Sequence, residues 1–430
     1  MRNRISTIAV ALLAAAGTAG LAALVLFTDS GIEFPTTLTT SASTTTTSTT
    51  TTTRPPATTT TQPPPSSTTS STTTTESPAP IALSVINRRD GHLARDLTAF
   101  YTWMADPSAP EPLMADGLAD HLAPARTPGP LELAAAVHRD TLADGSKVAV
   151  VEVGEDLILA VADGGTWRIV GADLPRFGAD PWFGDPVRHI LVLGTDARPH
   201  QSQPEFRADS IHLLGASLAE QGGAIVGFPR DTWVATSYGS DKLTNVNVRG
   251  GTAELVSIAG DLSGIEVDGY LLTGFAGFKH LVNAFGGVEV DIPFRMADGD
   301  SNAFLAAGLQ ILRGGDALAF SRNRHIAGGD FTRSRHQGIV ISAGLRGAQA
   351  MGIEHLPRLL RILTEDTWTD LSATELLQLG AIAFALDPDR VGNVVLPGEV
   401  GTVGNSSVVW LTSGAGDVFA DLADGVVNPG

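Results

Sequence analysis

Acidic and arginine side chains crowd one loop of this sequence, the stretch LGTDARPHQSQPEFRADS at residues 193–210. Asp196 and Asp209 supply two carboxylates there, and Arg198 and Arg207 supply two guanidiniums. The loop stands between two short apolar runs, and loops that leave buried strands commonly carry functional sites. The chain contains no cysteine, which excludes thiolate catalysis and cysteine zinc sites as the chemistry of this loop.

Three further clusters of the same residue types stand at the ends of apolar segments. They lie in the stretches FPRD, SRNRH and GDFTRSRHQ, and they contribute Arg230, Asp231, Arg322, Arg324, Asp330, Arg333 and Gln337. If SRNRH is extended, its two arginines project on the same face. Arg333 and Gln337 are four residues apart, so they share a face of a helix, and Asp330 fits the N-cap of that helix.

Convergent guanidiniums suit one kind of ligand, because they bind phosphate oxygens bidentately and keep their charge at any relevant pH. Two carboxylates in the same site would repel each other and the phosphate, and a divalent cation such as Mg²⁺ resolves both conflicts. The residues therefore predict a metal-assisted site for a di- or polyphosphate, in which positioning and charge stabilisation replace a covalent nucleophile. The alternative is a set of surface salt bridges, such as Arg207–Asp209 and Arg230–Asp231.

Strands and helices alternate in the segment that carries these clusters. Short apolar runs predict strands buried on both faces, at residues 189–194, 210–216 and 223–228. Apolar residues at helical spacing predict helices at residues 252–262, 277–286, 337–351, 356–366 and 372–386. This alternation predicts an α/β/α layered domain that ends near residue 428, with the charged clusters at the ends of its strands and helices.

A separate small α+β region is predicted at residues 82–180. A helix is expected at 92–106, and successive strands with glycine turns are expected within 147–172. The ionisable residues of this region do not cluster. A spacer or packing role is therefore favoured over a chemical one.

The N-terminal segment predicts a membrane anchor. Residues 5–27 are uncharged and mostly apolar, which is long enough to cross a bilayer as a helix. Arg2 and Arg4 precede this stretch, so the positive-inside rule places residues 1–4 in the cytoplasm and the remainder of the chain outside. The competing interpretation is a cleaved signal peptide, which also leads to an extracytoplasmic protein.

The next segment, residues 28–81, is a linker rich in Thr, Ser and Pro, and it is predicted to be a disordered stalk. The chain as a whole carries a formal net charge of −18. A nucleic-acid partner is therefore not expected, because binding to a phosphate backbone needs a basic surface.

Six stretches of the sequence, in their order along the chain, resemble the LytR-CpsA-Psr (LCP) family over residues 185–428. They are HILVLGTDAR, FRADSIHLL, IVGFPRDTWV, HLVNAFGGVEVDIP, GLQILRGGDALAFSRNRH and GDFTRSRHQ. The Arg-rich, Thr-stalked chain is similar to actinobacterial members. An N-terminal anchor followed by an extracytoplasmic catalytic domain is also the layout of the family.

The resemblance implies a three-layer α/β/α catalytic domain with a central mixed sheet, and a Mg²⁺-dependent glycopolymer phosphotransferase of cell wall assembly. Such an enzyme takes a glycan from a polyprenyl-pyrophosphate carrier and attaches it through a phosphodiester to peptidoglycan or another envelope acceptor. The lipid tail of the carrier would lie in an apolar tunnel between the sheet and the helices.

The resemblance also implies roles for the residues of the four clusters. Asp196 and Asp209 match the Mg²⁺ site, and together with Arg230 and Asp231 they are the catalytic candidates. Asp330 matches a position that orients the arginines. The positions that hold the pyrophosphate and shape its surroundings are matched by Arg198, Arg207, Arg230, Arg322, Arg324, Arg333 and Gln337.

Two departures from the family pattern bear on the acceptor. Thr244 stands where the family usually has Asn, and His336 stands where it often has Arg. The proton acceptor for the attacking hydroxyl is left open among Asp209, Asp231 and Arg230. Two other functions also stay open, namely a lipid-pyrophosphate phosphatase that uses water, and a non-catalytic protein that binds or regulates envelope glycans.

Overall fold

The computed structural model describes residues 81–85, 91–198 and 201–428 of the 430-residue chain. The predicted anchor at 5–27 lies outside the described residues, and so does the linker at 28–81 except for its last residue. Within the described part, no helix has both the length and the apolar character needed to cross a bilayer. The anchor, the linker and the topology therefore stay predictions.

The first part of the described chain forms a six-stranded sheet in the order β1-β2-β3-β4-β5-β6. Its strands are β1 Ile81–Val85, β2 Leu131–Thr141, β3 Lys147–Val153, β4 Asp156–Asp163, β5 Thr166–Leu174 and β6 Ala179–Trp182. Two helices, α1 Gly91–Ala105 and α2 Leu118–Leu122, join β1 to β2. The apolar positions of α1, including Leu93, Leu97, Phe100 and Met104, pack on one face of this sheet.

The central sheet is mixed and has the order β17-β12-β7-β8-β9-β18. Its strands are β7 Val187–Thr195, β8 Ala208–Ser217, β9 Gly222–Gly227, β12 Gly269–Thr273, β17 Thr367–Thr369 and β18 Val391–Val395. The pairs β7–β12 and β9–β18 are parallel, and the other three pairs are antiparallel. Two of the four charged clusters follow the ends of β7 and β9.

The remaining strands form four two-stranded pairs around the central sheet. They are β10 Trp233–Thr236 with β11 Gly239–Lys242, β13 Val288–Ile292 with β16 Gly308–Leu312, β14 Met296–Asp298 with β15 Ala303–Leu305, and β19 Gly398–Val403 with β20 Ser406–Leu411. The other helices are α3 Leu243–Arg249, α4 Thr252–Ser263, α5 Phe275–Ala284, α6 Gly314–Arg322, α7 Asp330–Met351, α8 Leu356–Asp366, α9 Ala373–Ala385 and α10 Ser413–Leu422.

Helices cover both faces of the central sheet. On one face, Leu191, Leu213 and Val226 of the sheet pack with residues of α3, α4 and α10 in a common buried cluster. On the other face lie α7, α8 and α9. Successive residues of β7 point to opposite faces of the sheet, and Ile190 and Leu191 accordingly belong to two different clusters, as expected for a strand buried on both faces.

Helices α8 and α9 pack between the two six-stranded sheets. One buried cluster combines Val148, Val150 and Leu159 of the first sheet with Leu360 of α8 and Leu377 of α9. A buried hydrogen bond from Gln378 Nε2 to the carbonyl oxygen of Val170, 2.7 Å long, joins α9 to β5. All described residues accordingly belong to one compact unit.

The mixed α/β class and the central mixed sheet are confirmed. The predicted strands at 189–194, 210–216 and 223–228 correspond to β7, β8 and β9, and the five predicted helices all exist. The helix expected at 337–351 extends back to Asp330, which agrees with the helix start predicted in the GDFTRSRHQ stretch. The division into domains at 82–180 and 185–428 stays a prediction.

Candidate active site

A cleft at the ends of β7 and β8 collects many of the predicted site residues. Its volume is about 830 Å³, including its open mouth. Polar and charged lining comes from Asp209, Ser210, Arg322, Arg324, Arg333 and Gln337. Apolar lining comes from β7, α5, α6 and α7, through Val192, Leu193, Phe275, Phe278, Leu318 and Ile341.

Two carboxylates and two guanidiniums form a network at the rim of this cleft. Arg230 Nη1 donates to Asp209 Oδ1 at 2.5 Å, and its Nε lies 3.7 Å from Asp330 Oδ1. Arg333 Nη2 lies 2.8 Å from the same Asp330 oxygen and donates to the carbonyl oxygen of Asp209 at 3.0 Å. Residues from β8, the β9–β10 loop and α7 are thereby joined at one place.

Several buried polar atoms of this network make no hydrogen bond. Asp330 Oδ2 and Arg333 Nε are buried and make no hydrogen bond to any described residue, while Asp330 Oδ1 and Arg230 Nε are buried and have only their ion-pair contacts. Burial lowers the pKa of Arg333, against the opposing charge of Asp330. For Arg230, burial acts in the same direction, but the charge and hydrogen bond of Asp209 outweigh it and raise the pKa. Buried donors without partners are expected where a ligand completes the hydrogen bonding.

Asp196, Arg198 and Arg207 lie on the loop between β7 and β8. Asp196 is half-buried, and its Oδ1 is buried with no hydrogen-bond partner among the described residues. The backbone N–H of Asp196 donates to the carbonyl oxygen of Arg207 at 3.3 Å, which holds the two ends of the loop together. The side chains of Arg198 and Arg207 are exposed.

Arg322, Arg324 and Gln337 face the cleft from α6, the loop after it and α7. Arg322 ends α6, so the SRNRH segment does not meet the condition of an extended conformation under which its two arginines would share a face. The Arg322 guanidinium stacks over the Phe275 ring, with its Cζ 4.8 Å from the ring centroid. Gln337 Nε2 donates to the carbonyl oxygen of Ser321 at 3.2 Å and ties α7 to α6.

The ion pairs of Asp209, Asp231 and Asp330 differ from the local alternatives. Among the described ion pairs, Asp209 pairs with Arg230 and not with Arg207. Asp231 pairs with Lys242, whose Nζ lies 3.2 Å from Asp231 Oδ1. Asp330 is not the N-cap of α7, since Gly329 occupies that position and the Asp330 carboxylate turns to Arg333.

A second cluster, formed by Asp298, Asp300 and His325, could hold a metal ion. One ligand atom from each lies within 4.8 Å of the others. His325 Nδ1 is 2.8 Å from Asp298 Oδ1, and this hydrogen bond raises the pKa of His325. Hydrogen bonds from Ser301 and then His325 hold the pKa of Asp298 well below its usual value. A metal ion would therefore compete with a histidine proton at this cluster.

A second cavity, of about 670 Å³, lies between the central sheet and helices α7 and α9. Its lining is almost entirely apolar and includes Leu214, Ile225, Leu345, Leu379 and Leu386. Ile341 lines both this cavity and the charged cleft. The two spaces therefore adjoin at one side chain, so that an amphipathic ligand would find charge on one side of it and apolar surface on the other.

Sequence reasoning missed three residues of this site. Phe275 carries no pattern of its own, although the glycine and strand before it mark a strand end. Lys242 is one of only a few lysines in an arginine-rich chain, and that rarity was a usable signal. Ile341 reads as an ordinary core position, since apolar cavity walls and apolar cores use the same residues.

The family model of the LytR_cpsA_psr family matches residues 184–418. A curated relative from Bacillus subtilis, polyisoprenyl-teichoic acid–peptidoglycan teichoic acid transferase TagV, is 26% identical over 221 residues, which is 49% of this chain and 56% of that protein. A TagU protein of the same description from Bacillus cereus is 28% identical over 201 residues, 45% of this chain and 64% of the relative. The chain thus matches under two thirds of the length of these relatives.

Two solved structures are also similar to part of the chain. The crystal structure of Bacillus subtilis TagV has a TM-score of 0.49 at 23% identity and covers 57% of this chain and 100% of its own. A protein from Streptococcus agalactiae has a TM-score of 0.48 at 23% identity and covers 53% of this chain and 84% of its own.

Proposed function

The chain belongs to the LytR-CpsA-Psr family, and on that basis we propose that it transfers a glycopolymer from a polyprenyl-pyrophosphate carrier to an envelope acceptor. The acceptor we propose is peptidoglycan, and the product is a phosphodiester link of cell wall assembly. The names of the TagV and TagU relatives, which are teichoic acid transferases, support this assignment.

The observation that carries the proposal is the junction of the charged cleft and the apolar cavity at Ile341. A polyprenyl pyrophosphate has the same two parts, a diphosphate and a long apolar chain. Arg322, Arg324 and Arg333 would bind the diphosphate oxygens, since guanidiniums pair bidentately with phosphate. The cavity between the sheet and α7 and α9 would hold the isoprenoid chain.

In the proposed reaction, a sugar hydroxyl of the acceptor attacks the phosphorus that carries the glycan. A new P–O bond to the acceptor forms, the P–O bond to the carrier phosphate breaks, and polyprenyl phosphate leaves. A carboxylate of the site takes the hydroxyl proton. Arg230, Arg333 and Asp330 keep one another in place through their ion pairs, which positions charge before the substrate arrives.

We also propose that Asp196 and Asp209 hold Mg²⁺. Asp196 fits this role because its Oδ1 is buried without a hydrogen-bond partner in the described residues, and carboxylate oxygens are preferred Mg²⁺ ligands. When bound, the ion would neutralise charge on the diphosphate. Asp209 would be shared with Arg230, whose ion pair holds the carboxylate in place.

The proposed location is the outer face of the cell membrane, with residues 5–27 as a single anchor and the N-terminus in the cytoplasm. The uncharged stretch and the arginines before it support this arrangement. The lipid-linked substrate would then be within reach of the site.

The function is tested with the full chain in detergent, a polyprenyl-pyrophosphate glycan and peptidoglycan. Replacing Arg322 with Ala removes a guanidinium from the cleft, and we expect transfer to fall by about 10²- to 10³-fold, the usual cost of one charge-stabilising donor. Arg335→Ala is the matched control, since Arg335 is exposed on α7 and outside the cleft lining. Glycan linked to peptidoglycan is the product to be measured.

Full transfer by Arg322→Ala, or an equal loss in Arg335→Ala, would contradict the proposed site. Release of free glycan phosphate, with no glycan on peptidoglycan, would assign a phosphatase instead.

A further inference from the structure

Two tryptophans lie close to the proposed reaction site without lining the cleft. The rings of Trp233 on β10 and Trp410 on β20 meet edge to face, with centroids 6.4 Å apart at 62°. Trp410 is nonetheless 46% exposed. An indole that keeps this much surface in water, beside another aromatic ring, offers a flat apolar face to a ligand.

The backbone around Trp410 leads directly to the site. The N–H of Val409 donates to the carbonyl oxygen of Asp231 at 2.9 Å, and Thr232 and Val409 form a β-bridge. Asp231 follows Arg230, which belongs to the rim network with Asp209. Trp410 therefore directly follows Val409, the residue that pairs with the segment Asp231–Thr232.

Polar groups continue the same surface. Trp233 and Lys242 are directly opposite each other in the β10–β11 pair, so their side chains project on one face. Lys242 Nζ reaches Asp231 Oδ1 at 3.2 Å, and both side chains stay partly open to solvent, at 22% and 28%. We call Trp410, Trp233, Lys242 and Asp231 the tryptophan strip.

We propose that the tryptophan strip binds a sugar unit of the acceptor glycan next to the cleft. The faces of a pyranose ring carry C–H bonds of slightly positive charge, which suit the negative face of an indole. Lys242 and Asp231 supply a donor and an acceptor for hydroxyl groups at the edge of that ring. This inference rests on the proposed function, because only a transferase needs a second glycan beside the cleft.

The donor is the less suitable occupant. Its diphosphate and lipid already have a cleft and a cavity, and no residue of the strip lines either of them. The strip instead presents a carboxylate, Asp231, beside the aromatic rings, where a bound hydroxyl could give up its proton. The strip therefore fits the nucleophile better than the leaving carrier.

Gly401 provides a way to move the indole without replacing it. A Cβ built on Gly401 would lie 2.9 Å from Trp410 Nε1 and 3.0 Å from its Cδ1, so the ring lies against this glycine. Gly401→Ala would displace the indole and keep every other group of the strip. Trp368→Ala is the matched control, since Trp368 is 52% exposed on β17, with β12, β7 and β8 between that strand and β9.

Binding is measured with the full chain in detergent by calorimetric titration of chitotetraose, a soluble β-1,4-linked N-acetylglucosamine oligomer. We expect Trp410→Ala and Gly401→Ala to weaken binding by about tenfold, which corresponds to about 1.4 kcal/mol. Trp410→Tyr should restore part of the affinity, and Trp368→Ala should bind normally. No binding by the unchanged chain, or equal losses in Trp368→Ala and Trp410→Ala, would overturn the proposal.

Steady-state kinetics separate the acceptor from the donor. Trp410→Ala should raise KM for the peptidoglycan acceptor by about tenfold and leave KM for the polyprenyl-pyrophosphate donor unchanged. A rise in the donor KM alone would overturn the assignment to the acceptor. If the unchanged chain binds chitotetraose as expected but transfers nothing, the proposed function fails while glycan binding by the strip is supported.

Discussion

His212 is a fully buried histidine on β8 that joins the central sheet to α7. Its Nε2 lies 3.1 Å from the carbonyl oxygen of Ser334, so this nitrogen carries the proton and donates. Its Nδ1 lies 3.2 Å from Ser210 Oγ and accepts from it. Burial lowers the pKa of His212 to about 4, and burial likewise lowers that of His336 to about 4. Both rings are therefore neutral at physiological pH.

The first prediction concerns pH and stability. The unfolded histidine binds a proton near pH 6.5, and the folded one only near pH 4. The contribution of the buried neutral ring to the free energy of unfolding is therefore complete above pH 6.5 and is lost as the pH falls towards 4. Each of the two rings contributes on the order of 3 kcal/mol to this loss. Urea unfolding at several pH values gives the slope of the free energy of unfolding against pH. Within this window the slope for His212→Gln should be smaller than that of the unchanged chain by about 1.4 kcal/mol per pH unit. An unchanged slope would show that His212 does not titrate there.

The sequence predicts which residues belong to the candidate site, but it does not predict their ion-pair partners. Arginines are predicted because guanidiniums suit a diphosphate and aspartates because carboxylates suit a divalent cation, and Asp209, Arg322, Arg324 and Arg333 line one cleft. The alternative of surface salt bridges joins sequence neighbours, whereas Asp209 pairs with Arg230 and Asp231 with Lys242. Such pairs form across a sheet or a turn, so they depend on strand register, which a local charge pattern does not contain.

At the scale of elements, Gly227 sets how closely β9 approaches α7. A Cβ on Gly227 would collide with Ser334 Oγ and lie 3.2 Å from His212 Nε2. Ser334 follows Arg333, which donates into the rim network. The absence of a side chain on one strand residue thus determines where a helix places its arginine.

We expect Gly227→Ala to lower the free energy of unfolding by about 1–3 kcal/mol, as overpacking usually does. It should also raise KM for the lipid-pyrophosphate donor, because α7 must move away from β9 together with Arg333. Gly347→Ala on the same helix is the control, since its Cβ would meet no atom within 4 Å and alanine favours a helix. Normal stability and donor KM in Gly227→Ala would contradict this account of the β9–α7 contact.

The elements themselves were largely predictable, because periods of 2 and 3.6 are local properties of the sequence. The conformation around Arg322 was not. The segment GGDALAFSR forms α6, with Ala317 and Phe320 buried, and its helix continues to Arg322. Two arginines separated by one residue look the same in an extended segment and at a helix end, so only packing decides between them.

At the scale of the whole molecule, α9 is buried between two sheets. Leu377 on this helix is fully buried in a cluster that contains residues of both the first and the central sheet. Surface contacts add to this cluster, such as Arg361 Nε at 3.1 Å from Asp140 Oδ2. The segment SATELLQLGAIAFAL is rich in apolar residues around its circumference, a pattern typical of a helix covered on all faces.

The shared cluster predicts that both sheets unfold in one transition. Urea unfolding followed by tryptophan fluorescence and by circular dichroism should give coincident curves, because tryptophans lie in both parts, for example Trp167 and Trp233. Leu377→Ala should lower the free energy of unfolding by about 2–5 kcal/mol and so move the single transition to lower urea concentration. Two separated transitions would show that the sheets are independent.

If the protein binds a polyprenyl carrier as proposed, Ile341, which lines both the charged cleft and the apolar cavity, would set which isoprenoid lengths it accepts. Ile341→Trp would place a larger side chain between the two spaces, so we expect it to slow donors whose prenyl chain must reach the cavity more than donors with a short prenyl chain. The arginines of the cleft would keep their positions, so the loss should depend on prenyl length and not on the diphosphate. The measurement is the transfer rate with donors of graded prenyl length, compared between Ile341→Trp and the unchanged chain. An equal loss of rate at every prenyl length would contradict this role of Ile341.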